Sequence, residues 1–204
     1  MKAIFSLVFC FCTAFSALAQ RDAIEEISKA TSSIRTMQCN FVQTKTLKML
    51  DDKMVSKGKM WCTHPSHLRW EYTTPYSYSF ILNENKVSLK KGNCNNIVNA
   101  NHHKSLREII QIMVPNSLCK ILTEKKDYDV AIISRDKLHI LELTPQKKEI
   151  KQMFSLITFY YNRQTGVMDK VEMQEKNGDC TVIEFSSVKK NITIDESVYK
   201  LKLK

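Results

Sequence analysis

Cys62, His64 and His67 stand close together, and a thiol with two imidazoles is a donor set that suits zinc. Pro65 lies between them, however, and a segment passing from strand to turn scatters its side-chain directions. They read as ordinary turn residues, and no metal is expected. His102-His103 precede a helix start and read as helix-entry surface. Paired carboxylates can serve acid–base chemistry, but Glu25-Glu26 fall on a helix face and Asp51-Asp52 in a turn, where solvation explains both pairs. The chain carries no Gly-x-Ser-x-Gly elbow, no Gly-rich phosphate loop and no dinucleotide fingerprint. The expectation is a protein without catalysis and without a cofactor.

Apolar surface is what the chain does offer. Trp61, Leu68, Trp70, Tyr72, Tyr78 and Phe80 come from neighbouring strand segments, and Leu106, Ile109, Ile110 and Met113 share one helical face. Composition alone favours reading them as a closed core. The functional reading is a concavity that parts to admit a hydrocarbon chain, with the helical stripe as a lid. Each buried methylene would contribute about 0.8 kcal/mol to holding such a ligand.

The elements that would position these residues follow from periodicity. Ile24, Ile27, Thr31 and Ile34 recur at helical spacing, opposite Glu25, Glu26 and Lys29. Strands are then predicted over 39–47 and 54–63. Leu68, Trp70 and Tyr72 alternate with Arg69, Glu71 and Thr73, and Tyr76, Tyr78, Phe80 and Leu82 alternate after Pro75. Short strands surround Val87–Leu89 and Ile97-Val98. Ser105 and Glu108 form a capping box ahead of the 106–113 stripe, and Pro115 can start a second short helix carrying Leu118, Ile121 and Leu122. Further strands are predicted at 128–134, 138–143, 154–161, 167–174 and 181–188, joined by turns at Arg135-Asp136, Thr165-Gly166 and Asn177-Gly178. A Val198–Leu203 tail alternates with lysines like an edge strand. A mainly β chain with meandering antiparallel strands and a mid-chain amphipathic helix suggests a strongly curved sheet or open barrel.

The termini and composition set the compartment. Lys2, the nearly unbroken apolar run Ala3–Ala14 and the small residues of Ala17-Leu18-Ala19 have the layout of a secretory signal peptide, cut after Ala19. Gln20 stands where a lipoprotein signal would need Cys. Residues 20–204 are then one exported domain. The formal charge is +10, or +9 without Lys2, with lysines scattered through strands and turns. That is a solvated face, with a weaker reading as attraction to membrane or acidic surfaces, and no nucleic-acid partner is expected. Cys10 and Cys12 leave with the signal; Cys39, Cys62, Cys94, Cys119 and Cys180 remain, at spacings compatible with bridges or buried thiols.

Phe41-Val-Gln43-Thr-Lys45, Ser56-Lys-Gly58-Lys-Met60-Trp61 and Pro65-Ser-His-Leu68-Arg69-Trp70-Glu71-Tyr72 with Pro75 resemble the LolA family of periplasmic lipoprotein carriers. Leu141-Glu-Leu143-Thr-Pro145, and Thr165-Gly166 followed by Val171-Glu172, look like that family's second half. The resemblance implies an incomplete antiparallel β-barrel of about eleven strands with helices covering its open mouth. It implies a monomeric periplasmic chaperone of a Gram-negative bacterium, taking lipoprotein acyl chains from an inner-membrane transporter to an outer-membrane acceptor. A carrier or sensor for another amphiphile, such as a glycolipid or acylated precursor, is the alternative. Leu68 and Trp70 match the family's concave strand and 106–113 its lid. Typical members have an Arg where His64 stands here, which makes His64, as a pH-sensitive contact, and Arg69, as a substitute donor, the two lid-closing candidates.

Overall fold

The computed structural model describes residues 20–84, 86–91, 94–99, 115–124 and 126–200. Helix α1 spans 20–32. Six strands follow as a meander: β1 (Thr36–Leu47), β2 (Asp52–Thr63), β3 (His67–Thr74), β4 (Tyr78–Asn83), β5 (Lys86–Lys91) and β6 (Cys94–Asn99). After helix α2 (Pro115–Glu124) come β7 (Tyr128–Arg135), β8 (Leu138–Pro145), the one-turn helix α3 (Lys148–Lys151), β9 (Phe154–Asn162), β10 (Val167–Glu175) and β11 (Cys180–Lys190). A 3₁₀ turn, Glu196–Tyr199, ends the described chain.

Among the described residues the strands form one 11-stranded antiparallel sheet, ordered β6-β5-β4-β3-β2-β1-β11-β10-β9-β8-β7. The two meanders meet where β1 pairs with β11, placing Phe41 opposite Phe185. The sheet ends at β6 and β7 and does not close, which is the incomplete barrel expected. The predicted turns supply left-handed backbone where tight reversals need it: Asp51, Asp136, Gly166 and Gly178 all have positive φ.

Alternation sorts the strands into two faces. Met37, Cys39 and Phe41 of β1, Met60 and Cys62 of β2, Leu68 and Trp70 of β3, and Phe80 of β4 are all buried on the inner face. Leu141 and Leu143, Ile157 and Phe159, Val171 and Met173, and Ile183 continue that face across the second meander. Ile27 of α1, Ile34 just after it, and Leu118 and Leu122 of α2 pack onto the same core. Both helices therefore cover the inner face, α2 with the residues predicted for it.

Three local expectations change. Of the predicted Val198–Leu203 edge strand, the described residues 198–200 form no strand. The Asp195 side chain accepts from Ser197 N and caps the 3₁₀ turn. Tyr199 is buried there, its hydroxyl 2.8 Å from Thr63 Oγ1, on the outer face of β2–β4. Strand β1 begins at Thr36, three residues before the predicted start. Helix α3 interrupts what read as a plain connection, because Ile150 is buried against the end of the sheet. The capping-box helix predicted over 105–113 lies outside the described residues.

One glycine is required by contact. A Cβ on Gly58 would run into the Glu71 carbonyl and the Phe41 ring. Phe41 lies directly over β2 because residue 58 has no side chain. Gly58→Ala is expected to lower stability by roughly 1–3 kcal/mol, the range for overpacking. Thermal unfolding would check this, and an unchanged melting temperature would show that the ring shifts freely.

Candidate ligand-binding concavity

Register brings the predicted strand residues together, with one exception. Tyr72 pairs with Tyr78, Trp70 with Phe80, and Leu68 with Leu82, so three rungs of β3–β4 point inward. Met60 and Gly58 of β2 continue two of these rungs, opposite Trp70 and Tyr72. Trp61 falls between Met60 and Cys62 and pairs with Arg69 and Gln38. It is on the outer face, because neighbouring strand residues point to opposite sides. Its expected place in the concavity is corrected accordingly.

Aromatic rings occupy the middle of the concavity. Phe41 and Trp70 have ring centroids 4.2 Å apart, Phe41 meets Tyr72 edge-on at 5.2 Å, and Phe185 meets Trp70 edge-on at 6.2 Å. Tyr72 and Tyr78 follow at 6.2 Å. The Tyr72 hydroxyl donates to Gln43 Oε1 at 2.8 Å. Trp70 Nε1 is buried with no well-formed hydrogen bond. Burial pushes the nearby Tyr72 hydroxyl up, and the Trp70 N–H beside it works against that in part. A buried donor without a well-formed hydrogen bond is costly, which leaves this indole able to donate to an acceptor in the concavity.

The inward residues of β1 trace a path through this arrangement. Met37 and Cys39 line a narrow, partly open cavity of about 30 Å³ beneath the helices, with Thr31, Ile34 and Leu118 on its roof. Phe41, next along the strand, belongs to the ring cluster. Gln43, next again, lines an open cleft of about 460 Å³ with Met54, Ser56, Tyr72, Tyr76 and Tyr78. The narrow cavity has room for roughly one or two waters. A hydrocarbon chain could occupy that end only if the helical cover moved. Leu106, Ile109, Ile110 and Met113, the expected lid stripe, lie outside the described residues.

The lid-closing candidates take other positions. Arg69 points to the outer face, where Nε and Nη2 donate to Glu71 at 3.0 and 3.2 Å and Nη1 donates to the Val198 carbonyl at 3.1 Å. It anchors the C-terminal segment across β3 rather than a cover over the concavity, and its expected lid role is corrected. Alternation again decides this, since Arg69 sits between inward Leu68 and Trp70. His64 is exposed in the β2–β3 turn, its backbone N–H donating to the Arg35 carbonyl at 2.8 Å.

A polar tether that sequence reasoning missed holds α1 in place. Glu26, read as simply solvated, accepts from Arg163 Nη2 at 3.2 Å and lies 3.1 Å from His139 Nε2. A carboxylate only accepts, so Nε2 carries the proton. Ser134 Oγ lies 2.7 Å from Nδ1, and the imidazole is only 2 % exposed. The three residue types are those of a hydrolytic relay, but the carboxylate is shared with Arg163 and the cluster joins α1 to β7, β8 and the turn after β9. We read it as the fastening of the cover. No sequence spacing could reveal it, because Glu26 and His139 are 113 positions apart. Among the described residues no cluster of metal-ligating side chains occurs.

Cys39, Cys62, Cys119 and Cys180 are free thiols. Burial pushes the Cys39 and Cys62 thiols up to about 12.

An open antiparallel sheet with an apolar inner face roofed by helices defines a half-barrel binding fold. Solved structures share it: a LolA-superfamily protein from Nitrosomonas europaea (TM-score 0.50, 12% identity, 89% of this chain and 97% of that one) and lipoprotein LppX from Mycobacterium tuberculosis (TM-score 0.51, 10% identity, 88% and 100%). The MucB structure also has this fold, with TM-score 0.52 at 13% identity over 90% of this chain and 63% of that one. Sequence likeness is narrower. The chain is 25% identical over 178 residues to an outer-membrane lipoprotein carrier protein of Xanthomonas axonopodis pv. citri, covering 87% of this chain and 82% of the relative. It is 20% identical over 190 residues to the protein so named in Methylococcus capsulatus, covering 93% and 88%. The family described as "Outer membrane lipoprotein carrier protein LolA" matches residues 32–202, and the chain belongs to that family.

Two expectations follow from the site's electrostatics. At pH 8, Cys39 and Cys62 of the native protein should alkylate about a thousandfold more slowly than an ordinary thiol, from their thiolate fraction. Mass mapping after iodoacetamide would check this, and equal labelling with Cys119 would show the cover to be open. Arg163 first, and His139 less, hold the Glu26 carboxyl below its usual range. A depressed carboxylate stabilises the fold above its unfolded pKa, and that contribution is lost as pH falls through its folded value. Wild type should therefore lose more stability than Glu26→Gln between pH 6 and about 3, as urea unfolding at each pH would show.

Proposed function

We propose that this protein is a non-enzymatic periplasmic carrier that binds lipoprotein acyl chains in its concavity and moves lipoproteins from the inner to the outer membrane. The observation that carries the reading is the path along β1, from open cleft through the ring cluster to the narrow cavity under α1 and α2. Family membership and the names of the curated relatives support the same cargo. The inward residues Leu68, Trp70, Tyr72, Tyr78 and Phe80 line the route, and Trp70 Nε1 offers a donor to a cargo ester or amide carbonyl. The cover is formed by α1 and α2, with the 106–113 stripe as its expected extension. Transfer on this reading needs a membrane transporter to load the carrier and an acceptor to unload it, since the sequence holds no phosphate-binding motif of its own. The N-terminal signal peptide ending at Ala19 is part of the proposal, as it places the protein where such cargo is found.

The test uses residues 20–204, purified from an exporting host without detergent. Native mass spectrometry should detect bound acylated species, and a triacylated lipopeptide should displace a hydrophobic dye. Trp70→Phe keeps a ring but removes the donor, and is expected to weaken lipopeptide about three- to tenfold, the worth of one neutral hydrogen bond, with little loss of stability. Displacement by a glycolipid and not by lipopeptide would shift the cargo to another amphiphile. A clean apo mass with no dye binding would mean the inner face is a closed core, and the carrier reading would fall.

A further inference from the structure

The β1–β2 hairpin projects beyond its neighbour. Strand β2 starts at Asp52, but its register with β3 ends where Lys57 meets Thr74. Residues 52–56 therefore have β1 on one side and, among the described residues, no strand on the other. Five residues of strand extend about 17 Å. On the β1 side the β10–β11 turn braces the strand right up to the hairpin turn. Lys45 Nζ is 2.8 Å from Glu175 and 3.7 Å from Asp179, and Lys48 N donates to Asp179 Oδ1 at 3.0 Å. The turn residues 49–51 and the outer edge of 52–56 are thus presented on a fixed support.

The tip is apolar and exposed. Met49 is 92 % exposed, Leu50 71 %, Met54 55 % and Val55 49 %, and Tyr76 of the adjacent β3–β4 turn is 79 % exposed. Of the large apolar side chains left in solvent among the described residues, only Ile133 lies elsewhere. Scattered single exposures need no explanation, but segregation to one end does. The surrounding charge is mainly positive. Lys48, Lys53 and Lys57 are exposed on the hairpin. The antiparallel order brings α3 and the β10–β11 turn to the same end, with exposed Lys148, Lys151 and Lys176. Asp51, Asp52 and Glu149 stand among them, so lysines are in excess without being alone.

We propose that this end of the molecule docks on an anionic lipid bilayer, with Met49 and Leu50 entering the interface and the lysines facing lipid phosphates. Apolar residues that reach a few ångströms into the headgroup region, ringed by Lys, form the two-part attachment of a reversible peripheral membrane contact. Lysine excess selects an acidic surface over a neutral one. Met49 and Leu50 stand at the turn beside the β10–β11 turn, so they can enter the interface while Lys176 of that neighbouring turn faces its surface. The open cleft lined by Met54, Tyr72, Tyr76 and Tyr78 adjoins this tip, so docking would bring the mouth of the concavity to the membrane surface. The docking residues differ from those of the proposed ligand path, and the two readings can fail separately.

The test is cosedimentation of residues 20–204 with vesicles of phosphatidylethanolamine containing about a quarter phosphatidylglycerol, and with neutral phosphatidylcholine vesicles. Wild type should bind the anionic vesicles at low salt and lose most binding at about 0.5 M salt. Met49→Asp with Leu50→Asp should weaken binding about tenfold or more, and Lys48→Gln with Lys53→Gln and Lys57→Gln severalfold. Both variants should retain the wild-type melting temperature and dye affinity. Absence of vesicle binding, or binding that the Met49/Leu50 double variant leaves unchanged, would overturn the proposal and assign the tip to a protein partner instead. Lipopeptide displacement of the dye, measured on the same samples, reports on the carrier reading alone.

Discussion

The pairing of β1 with β11 is the constraint on which the rest of the structure depends. Each meander alone is a twisted sheet with one apolar face that it cannot bury. The twelve residues of β1 are hydrogen-bonded to β2 on one side and β11 on the other. That single strand turns two half-sheets into one curved surface. It also sets Phe41 opposite Phe185, and so brings the rings of both halves over Gly58. Phe41 and Phe185 are far apart in sequence, and closing such a contact must be repaid by burial once the strands meet. The dense aromatic cluster at this junction provides that burial. The connection between the two outer edges, β6 and β7, carries α2.

The elements were legible because period-2 and period-3.6 patterns are strong in this chain. Leu68, Trp70 and Tyr72 alternate so regularly that their common face could be read directly, and Pro115 with Leu118 and Leu122 marked α2. The faces of single residues were less secure. Trp61 comes from a strand neighbouring the concavity residues, yet its place between Met60 and Cys62 assigns it outward. Arg69 was given a lid role by analogy, while its parity, opposite to Leu68 and Trp70, turns it to the C-terminal segment. The tail shows a different limit. Alternating lysines look like an edge strand, but Asp195 caps a turn and Tyr199 finds a buried site beside Thr63, and tertiary packing overrides the pattern. The Glu26–His139–Arg163 tether joins groups whose partners only folding brings together.

The same geometry separates rigid from movable parts. The sheet is held by ladders on every internal strand, whereas among the described residues α1 and α2 contact it mainly through apolar side chains, with the Glu26 cluster as the main polar fastening. Ala23, Ile27, Ile34, Leu118 and Leu122 are the buried anchors. Glu26 and Arg163 meet near the surface, so that ion pair's contribution is modest and responds to solvent. The ring cluster, by contrast, is fixed at one end by Gly58 and at the other by the Tyr72–Gln43 hydrogen bond.

Energetic magnitudes show what such an arrangement suits. Exposing a fully buried aliphatic side chain costs about 1.5–3 kcal/mol, so lifting the larger anchors costs on the order of 10 kcal/mol. Under the carrier reading, an acyl chain of about sixteen carbons gains a similar amount when its methylenes are buried, at about 0.8 kcal/mol each. The two terms are close, and their difference is small beside either. A permanent store would need the ligand term to dominate, and a simple core would have no competitor for its cover. Near balance lets a donor load the concavity and an acceptor empty it through modest differences in affinity, with no chemical step in the protein. On that reading the narrow cavity of about 30 Å³ leaves little empty space beneath the helices, so an entering chain would have to displace the cover rather than fill a void.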